Sequence, residues 1–144
     1  SMDQNIGRLL QALEDAGAKV WIMKQVPLQH DSPIRQLVKA AQRGDPPPRG
    51  VGLPEHYACH QNVNDVLDQL ATPSVEFLDP ADVCFDEAGR SIVGDSERSY
   101  YFDEDHLSPH GAKVLLRPLL ERVFQEIATE AQMATETRGS SELR

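Results

Sequence analysis

Asp103 and His106 stand three residues apart within the stretch VGDSERSYYFDEDHLSPHGA, Val93 to Ala112. An imidazole near its free pKa of ~6.5 accepts and returns a proton at neutral pH. For that work one ring nitrogen must be free and the other held by an acceptor. A carboxylate three residues back, on a tight loop ahead of a helix, reaches the second nitrogen. It would fix the tautomer and stabilise the imidazolium formed during acyl transfer. Leu107 would then pack inward, and Ser108 would cap the following helix and steady the loop. Taken alone, a D-x-x-H spacing is also what a solvated acidic loop with a surface histidine looks like. The same stretch carries Gly94-Asp95-Ser96, which reads like the nucleophile motif of a serine esterase. Only Ser91-Ile92-Val93 precedes it and a charged, then aromatic, stretch follows. A motif match without its structural context is weak, and Gly94 and Asp95 are usual turn residues, so Ser96 is read as part of a turn.

Other chemistry-bearing residues are weaker. His56 and His60 are four apart on one expected helix and share a face, and with Cys59 and Cys84 they could be drawn as a zinc set. No tight C-x-x-C pair is present and the fourth ligand is remote, so surface histidines beside free or bridged cysteines are the better reading, and no metal is assigned. Lys24 and Gln25 fall at the carboxyl end of an expected strand, the edge where α/β ligands bind, but a solvent-exposed strand end accounts for them. Trp21 is expected in the core and His110 on the surface. Gly50 to Gly52 sits in a proline loop and is no phosphate cradle. No cofactor is expected.

These residues must be held by 144 residues, enough for one ordinary domain, with 40% apolar and 6% aromatic residues for a modest core. The net charge of −9 repels phosphate backbones and anionic lipid, which argues against nucleic-acid or membrane-surface partners. No apolar run approaches the ~20 residues of a membrane span. Ser1-Met2 reads as a cloning scar.

Ile6, Leu9, Leu10 and Leu13 make one face of a helix over Asp3 to Ala16, stopped by Gly17. Lys19 to Val26 is a continuous apolar run, read as a strand buried on both faces. Ser32-Pro33 opens a second helix, with Ser32 as N-cap and Ile34, Leu37, Val38 and Ala41 as its stripe. Gly44 to Pro54 reads as a loop. A third helix over Pro54 to Ala71 turns Val63, Val66, Leu67 and Leu70 inward. Val75 to Leu78 is a short strand and Ala81 to Cys84 a single helical turn. The turn-rich piece after it has room for a small hairpin, and Tyr100 to Phe102 is extended. A last helix from Ser108-Pro109 carries Val114, Leu115, Leu119, Leu120, Val123, Phe124 and Ile127, with Pro118 kinking it or marking its true start. The domain is expected over 3–132, followed by a polar tail over 133–144.

Strands joined through helices predict an α/β fold with a three-layer parallel sheet, helices on both faces. Two convincing strands are too few for that, so the chain reads as incomplete at its N-terminus, the back portion of a larger domain.

The block YYFDEDHLSPHGAKVLL resembles the last conserved block of the SGNH hydrolases, where an Asp and a His on the loop before the C-terminal helix complete a Ser-His-Asp triad. GAKVWIMKQVP resembles the family's helix-to-strand passage, and VEFLDPADVCFDEAGR the strand and turn ahead of the catalytic loop in one branch. That branch comprises the extracytoplasmic domains attached to bacterial membrane-bound O-acyltransferases that acylate surface glycans. The resemblance covers most of Asp3 to Ile127. It implies an SGNH/flavodoxin-like sheet, His106 as general base and then acid, and Asp103 as its orienting carboxylate. The implied substrate is an acylated saccharide or small ester. The family's nucleophile strand and its oxyanion Gly and Asn have no counterpart here. The resemblance therefore implies a half-site, inactive alone, whose partner is its own N-terminal segment or another copy of the chain. The alternative is a non-catalytic α/β binding or scaffold domain. An extracytoplasmic parent would also allow a Cys59–Cys84 disulfide.

Overall fold

The computed structural model describes residues 2–141, with side chains over 4–136. Ser1 of the expected scar and residues 142–144 of the expected tail lie outside the described residues. The order is α1 (Met2–Asp15), β1 (Val20–Met23), α2 (Pro33–Arg43), β2 (Arg49–Gly52), α3 (Leu53–Asp68), β3 (Val75–Leu78), α4 (Ala81–Cys84), β4 (Arg90–Ile92), α5 (Pro109–Leu115) and α6 (Arg117–Ser141). The chain is mixed α/β with a small parallel sheet.

That sheet is β1 beside β3, in register from Val20 opposite Val75 to Met23 opposite Leu78. Parallel pairing follows from the helix-bearing connection between the two strands. Trp21 and Met23 alternate onto the same face as Leu78 and pack against Leu119 and Val123 of α6. All four residues of β1 are half-buried, so the strand is not enclosed on both faces as its continuous apolar run predicts. A sheet of two strands has two edges, and each edge strand keeps part of its surface.

A separate antiparallel ribbon joins β2 to β4. It corrects the reading of Gly44 to Pro54 as loop throughout: the GVG residues enter a strand because glycine lets the ribbon approach closely. A Cβ on Gly50 would collide with the Gln29 and Ser91 side chains. The Phe85-to-Ser91 turn does form a tight hairpin, with Asp86 accepting from the Ala88 and Arg90 amides and Gly89 at φ 70°.

The C-terminal helix is two helices. α5 stops at Leu116, and α6 begins at Arg117 with Pro118 in its first turn, a place where proline loses no helical hydrogen bond. The break divides the expected apolar stripe. Leu115, Leu119 and Val123 are buried, whereas Val114, Leu120, Phe124 and Ile127 are exposed. In α2 the expected stripe is also turned outward at Ile34 and Val38, and the buried residues are Pro33 and Ala40. Val63 of α3 is exposed rather than inward. Ser32 precedes α2 without a side-chain cap bond. None of the helices is long and apolar enough to cross a membrane, among the described residues.

The larger core cluster is Cys84, Val93, Tyr100, Tyr101, Leu115 and Leu116. It forms because α5 lies almost in contact with the backbone of Tyr100. Ser108 accepts from the Gly111 amide at 3.0 Å and donates to the Ser99 carbonyl at 3.2 Å, and Ser108 N donates to Tyr100 O at 2.9 Å. A Cβ at Gly111 would fall on the Tyr100 carbonyl oxygen. The obstacle is backbone on both sides, so it cannot rotate away. Gly111→Ala is expected to lower stability by about 3 kcal/mol in a urea titration, whereas Ala112→Gly on the same helix costs about 1 kcal/mol by propensity alone.

Candidate active site

The loop between Tyr101 and Leu107 is closed at its base by a bridge between those two residues and by Phe102 N donating to His106 O at 2.8 Å. Its interior is organised by Asp103. Asp103 Oδ1 accepts from the Asp105 amide at 3.0 Å and the His106 amide at 2.8 Å. This is the local hydrogen bonding by which short acidic side chains bend a backbone. The bend swings the imidazole back over the carboxylate, and His106 Nδ1 lies 3.0 Å from both Asp103 oxygens. A carboxylate is acceptor-only, so Nδ1 carries the proton and Nε2 is left with its lone pair. Nε2 has no hydrogen-bond partner among the described residues.

The electrostatics follow from that geometry. Two backbone amides and the imidazole favour the ionised carboxylate, and Asp103 is held down to about 2, with the Asp105 amide the largest cause. The same carboxylate raises His106 above the ordinary 6.5, helped by the charges of Asp103 and Asp105. Asp105 Oδ1 also lies 3.0 Å from His106 Nδ1. The imidazole is 71% exposed, so solvent screens all of these interactions.

Asp103, Asp105 and His106 are also the group of possible metal ligands among the described residues, with ligand atoms within 4.8 Å of one another. An ion there would compete with the amides on Asp103 and with the proton on Nδ1. The imagined zinc set does not assemble. His56 is buried with Nδ1 unpartnered and its pKa lowered by burial, His60 Nδ1 bonds back to the His56 carbonyl at 2.9 Å, and Cys59 is exposed. Cys59 and Cys84 are free thiols, which corrects the bridged alternative, and burial pushes the Cys84 thiol up to about 12.

Ser96 lies in the turn expected for it. Asp95 Oδ1 accepts from the Glu97 amide at 2.8 Å and the Arg98 amide at 2.7 Å, and Gly94 pairs with Ser99. Ser96 lines a groove of about 410 Å³ with Ile34, Leu37 and Val38 of α2, a groove that His106 does not line. Lys24 corrects the expectation of an exposed strand end: its side chain is 12% exposed and its ammonium pairs with Asp68 at 2.6 Å. Gln25 is exposed. His110 is half-buried against the Tyr100 ring, not on the open surface. Trp21 packs in the core with its Nε1 unpartnered. Two features of the loop were missed in the sequence: the second carboxylate, Asp105, and a hydrogen bond from Gln29 N to Glu104 O at 2.8 Å that ties the loop to the segment leaving β1. The first is visible in the string DEDH, but the second has no sequence signal.

The pair makes a pH prediction. His106 has a raised folded pKa, so its contribution to stability is complete below the unfolded value of ~6.5 and disappears as pH rises through the folded value. Asp103 has a lowered one, so its contribution is complete above ~3.9 and disappears as pH falls toward about 2. Asp103→Asn should move the His106 titration, followed by ring-proton NMR, down toward 6.5. It should also flatten the stability profile on both flanks.

A protein-family model for the SGNH domain (fused to AT3 domains) matches residues 1–121. No curated protein and no solved structure matches the chain. Most of the chain is thus covered by one family description, in which a hydrolase- or acyltransferase-related domain accompanies acyltransferase-3 domains. With the loop geometry in hand and that match over residues 1–121, the chain belongs to the SGNH domain family of the kind fused to AT3 domains.

Proposed function

We propose that this chain is the C-terminal part of an SGNH-type serine esterase or O-acyltransferase domain that acts on acylated glycans outside the cytoplasm of a bacterium. The observation that carries the reading is the hold of both Asp103 oxygens on His106 Nδ1 at 3.0 Å, with Nε2 unpartnered. In that state Nε2 takes the proton from a serine Oγ as the oxygen attacks the ester carbonyl. The imidazolium then returns the proton to the departing alkoxide, and Asp103 stabilises the cation in between. The serine and the oxyanion donors come from a segment outside these 144 residues; Ser96 sits in the Asp95 turn and lines a groove that His106 does not line, which supports placing the nucleophile elsewhere. In the assembled domain β1 and β3 are strands of a three-layer parallel sheet with helices on both faces. The site opens at its carboxyl edge. The ligands are an acylated saccharide or a small ester, with no cofactor, and the partner of this chain is its own upstream segment or a second copy.

Hydrolysis of p-nitrophenyl acetate by the protein extended upstream of Asp3 tests this. His106→Ala should reduce kcat by about 10³-fold and Asp103→Asn by a similar factor, while Ser96→Ala leaves it unchanged. Equal rates for the parent and His106→Ala would remove the catalytic role and leave a non-catalytic binding or scaffold domain. A Ser96-dependent rate would put the nucleophile inside this chain.

A further inference from the structure

Gln29 is 4% exposed, between Leu28 and His30, both exposed. Its side chain is used on both ends. Oε1 accepts from Val51 N of β2 at 3.2 Å and from Ser91 Oγ of β4 at 3.1 Å, and Nε2 donates to the Pro27 carbonyl at 3.0 Å. Ser91 is fully buried, and Gly50 leaves the room that the Gln29 amide fills. An apolar side chain in that space would leave the buried Val51 amide and Ser91 hydroxyl without their acceptor, so the amide is matched to this ribbon and a hydrophobe of the same size cannot replace it. What the amide adds is direction. It fixes the turn after β1 on the β2–β4 ribbon in one orientation. In that orientation the Gln29 N–H meets the carbonyl of Glu104, the residue between Asp103 and Asp105, at 2.8 Å. The loop's other hydrogen bonds described above run within it or to its own base. They close the loop on itself but do not tie it to the exit of β1, so without the Glu104 bond the loop and its Asp103 pairings open more readily.

We propose that Gln29 is a positioning residue for the Asp103–His106 pair: its buried amide locks the β1 exit segment onto the ribbon, and its backbone N–H holds the loop by Glu104. The proposal rests on the reading of that pair as the acid–base machinery. Its test needs no turnover, so a failed esterase assay and a failed positioning test are separate results.

The test uses the 144-residue chain with Gln29→Met, which keeps the length of the side chain and removes its hydrogen bonds, and Gly50→Ala, which leaves Gln29 in place and displaces its amide. Hydrogen exchange of the Asp105 and His106 amides, both bonded to Asp103, should quicken about tenfold in each variant, the equivalent of one buried hydrogen bond lost. The His106 ring titration should move down toward that of a free imidazole. Exchange of the Lys24 amide, bonded to Leu78 O in the parallel sheet, should not change. An unchanged His106 titration in a folded variant overturns the proposal. So does equal quickening of Lys24, which would make Gln29 a structural residue only. Should both variants fail to fold, Ser91→Ala removes one hydroxyl from the same amide. A smaller shift of His106 in the same direction then supports the proposal, and no shift overturns it.

Discussion

Asp103 serves three donors with one carboxylate: the amides of Asp105 and His106 and the ring nitrogen of His106. The first two make the bend that brings the third within reach, so the backbone turn and the imidazole's orientation are one interaction. Remove the carboxylate and the loop loses its shape and the histidine its tautomer together. This coupling explains how a pair of exposed side chains can hold a defined geometry without burial, since the order is stored in short-range backbone bonds. The pieces around the loop carry it into place. Ser108 and Gly111 bring α5 onto the backbone of Tyr100, and Tyr101 beside it is buried in the main core.

Glycine and buried polar groups do in this small molecule what apolar bulk does in larger ones. Gly50, Gly94 and Gly111 each occupy a point where a Cβ would strike a neighbour, Gly94 against the Arg98 carbonyl and Leu37 of α2. At those points backbone approaches backbone or a buried amide, and the close approach sets the position of the following loop. The Tyr101 hydroxyl is buried without a well-formed hydrogen bond. Burial, outweighing the nearby Gln29 amide, raises its pKa. The tyrosine therefore stays neutral and acts as core.

Much of the arrangement was legible because its causes are local. The i, i+3 relation of Asp103 and His106, the Ser108-Pro109 helix start, and the alternation of helices with the strands at Val20 and Val75 are each written within a few residues, and each appears. What escaped depends on partners far away in sequence. β2 is a glycine-rich piece of a proline loop until β4, about forty residues later, gives it something to pair with. Gln29 is an unremarkable polar residue between prolines until Val51 and Ser91 surround it. Periodicity correctly gave the apolar faces of α2 and α6, but a face is buried only where something packs on it, and Ile34, Val38 and Phe124 remain exposed.

That exposure bears on the chemistry. A histidine with 71% of its side chain in solvent gains little energy from a neighbouring carboxylate, because water and salt screen the attraction. The value of Asp103 in this setting is therefore geometric: it selects the Nδ1–H tautomer and aims Nε2. The electrostatic benefit to an imidazolium grows only when water is excluded and the local dielectric falls. An ester and a serine-bearing wall seated over Nε2 would do that. The orientation can thus be built from one loop of this chain, while its energetic effect depends on what covers it.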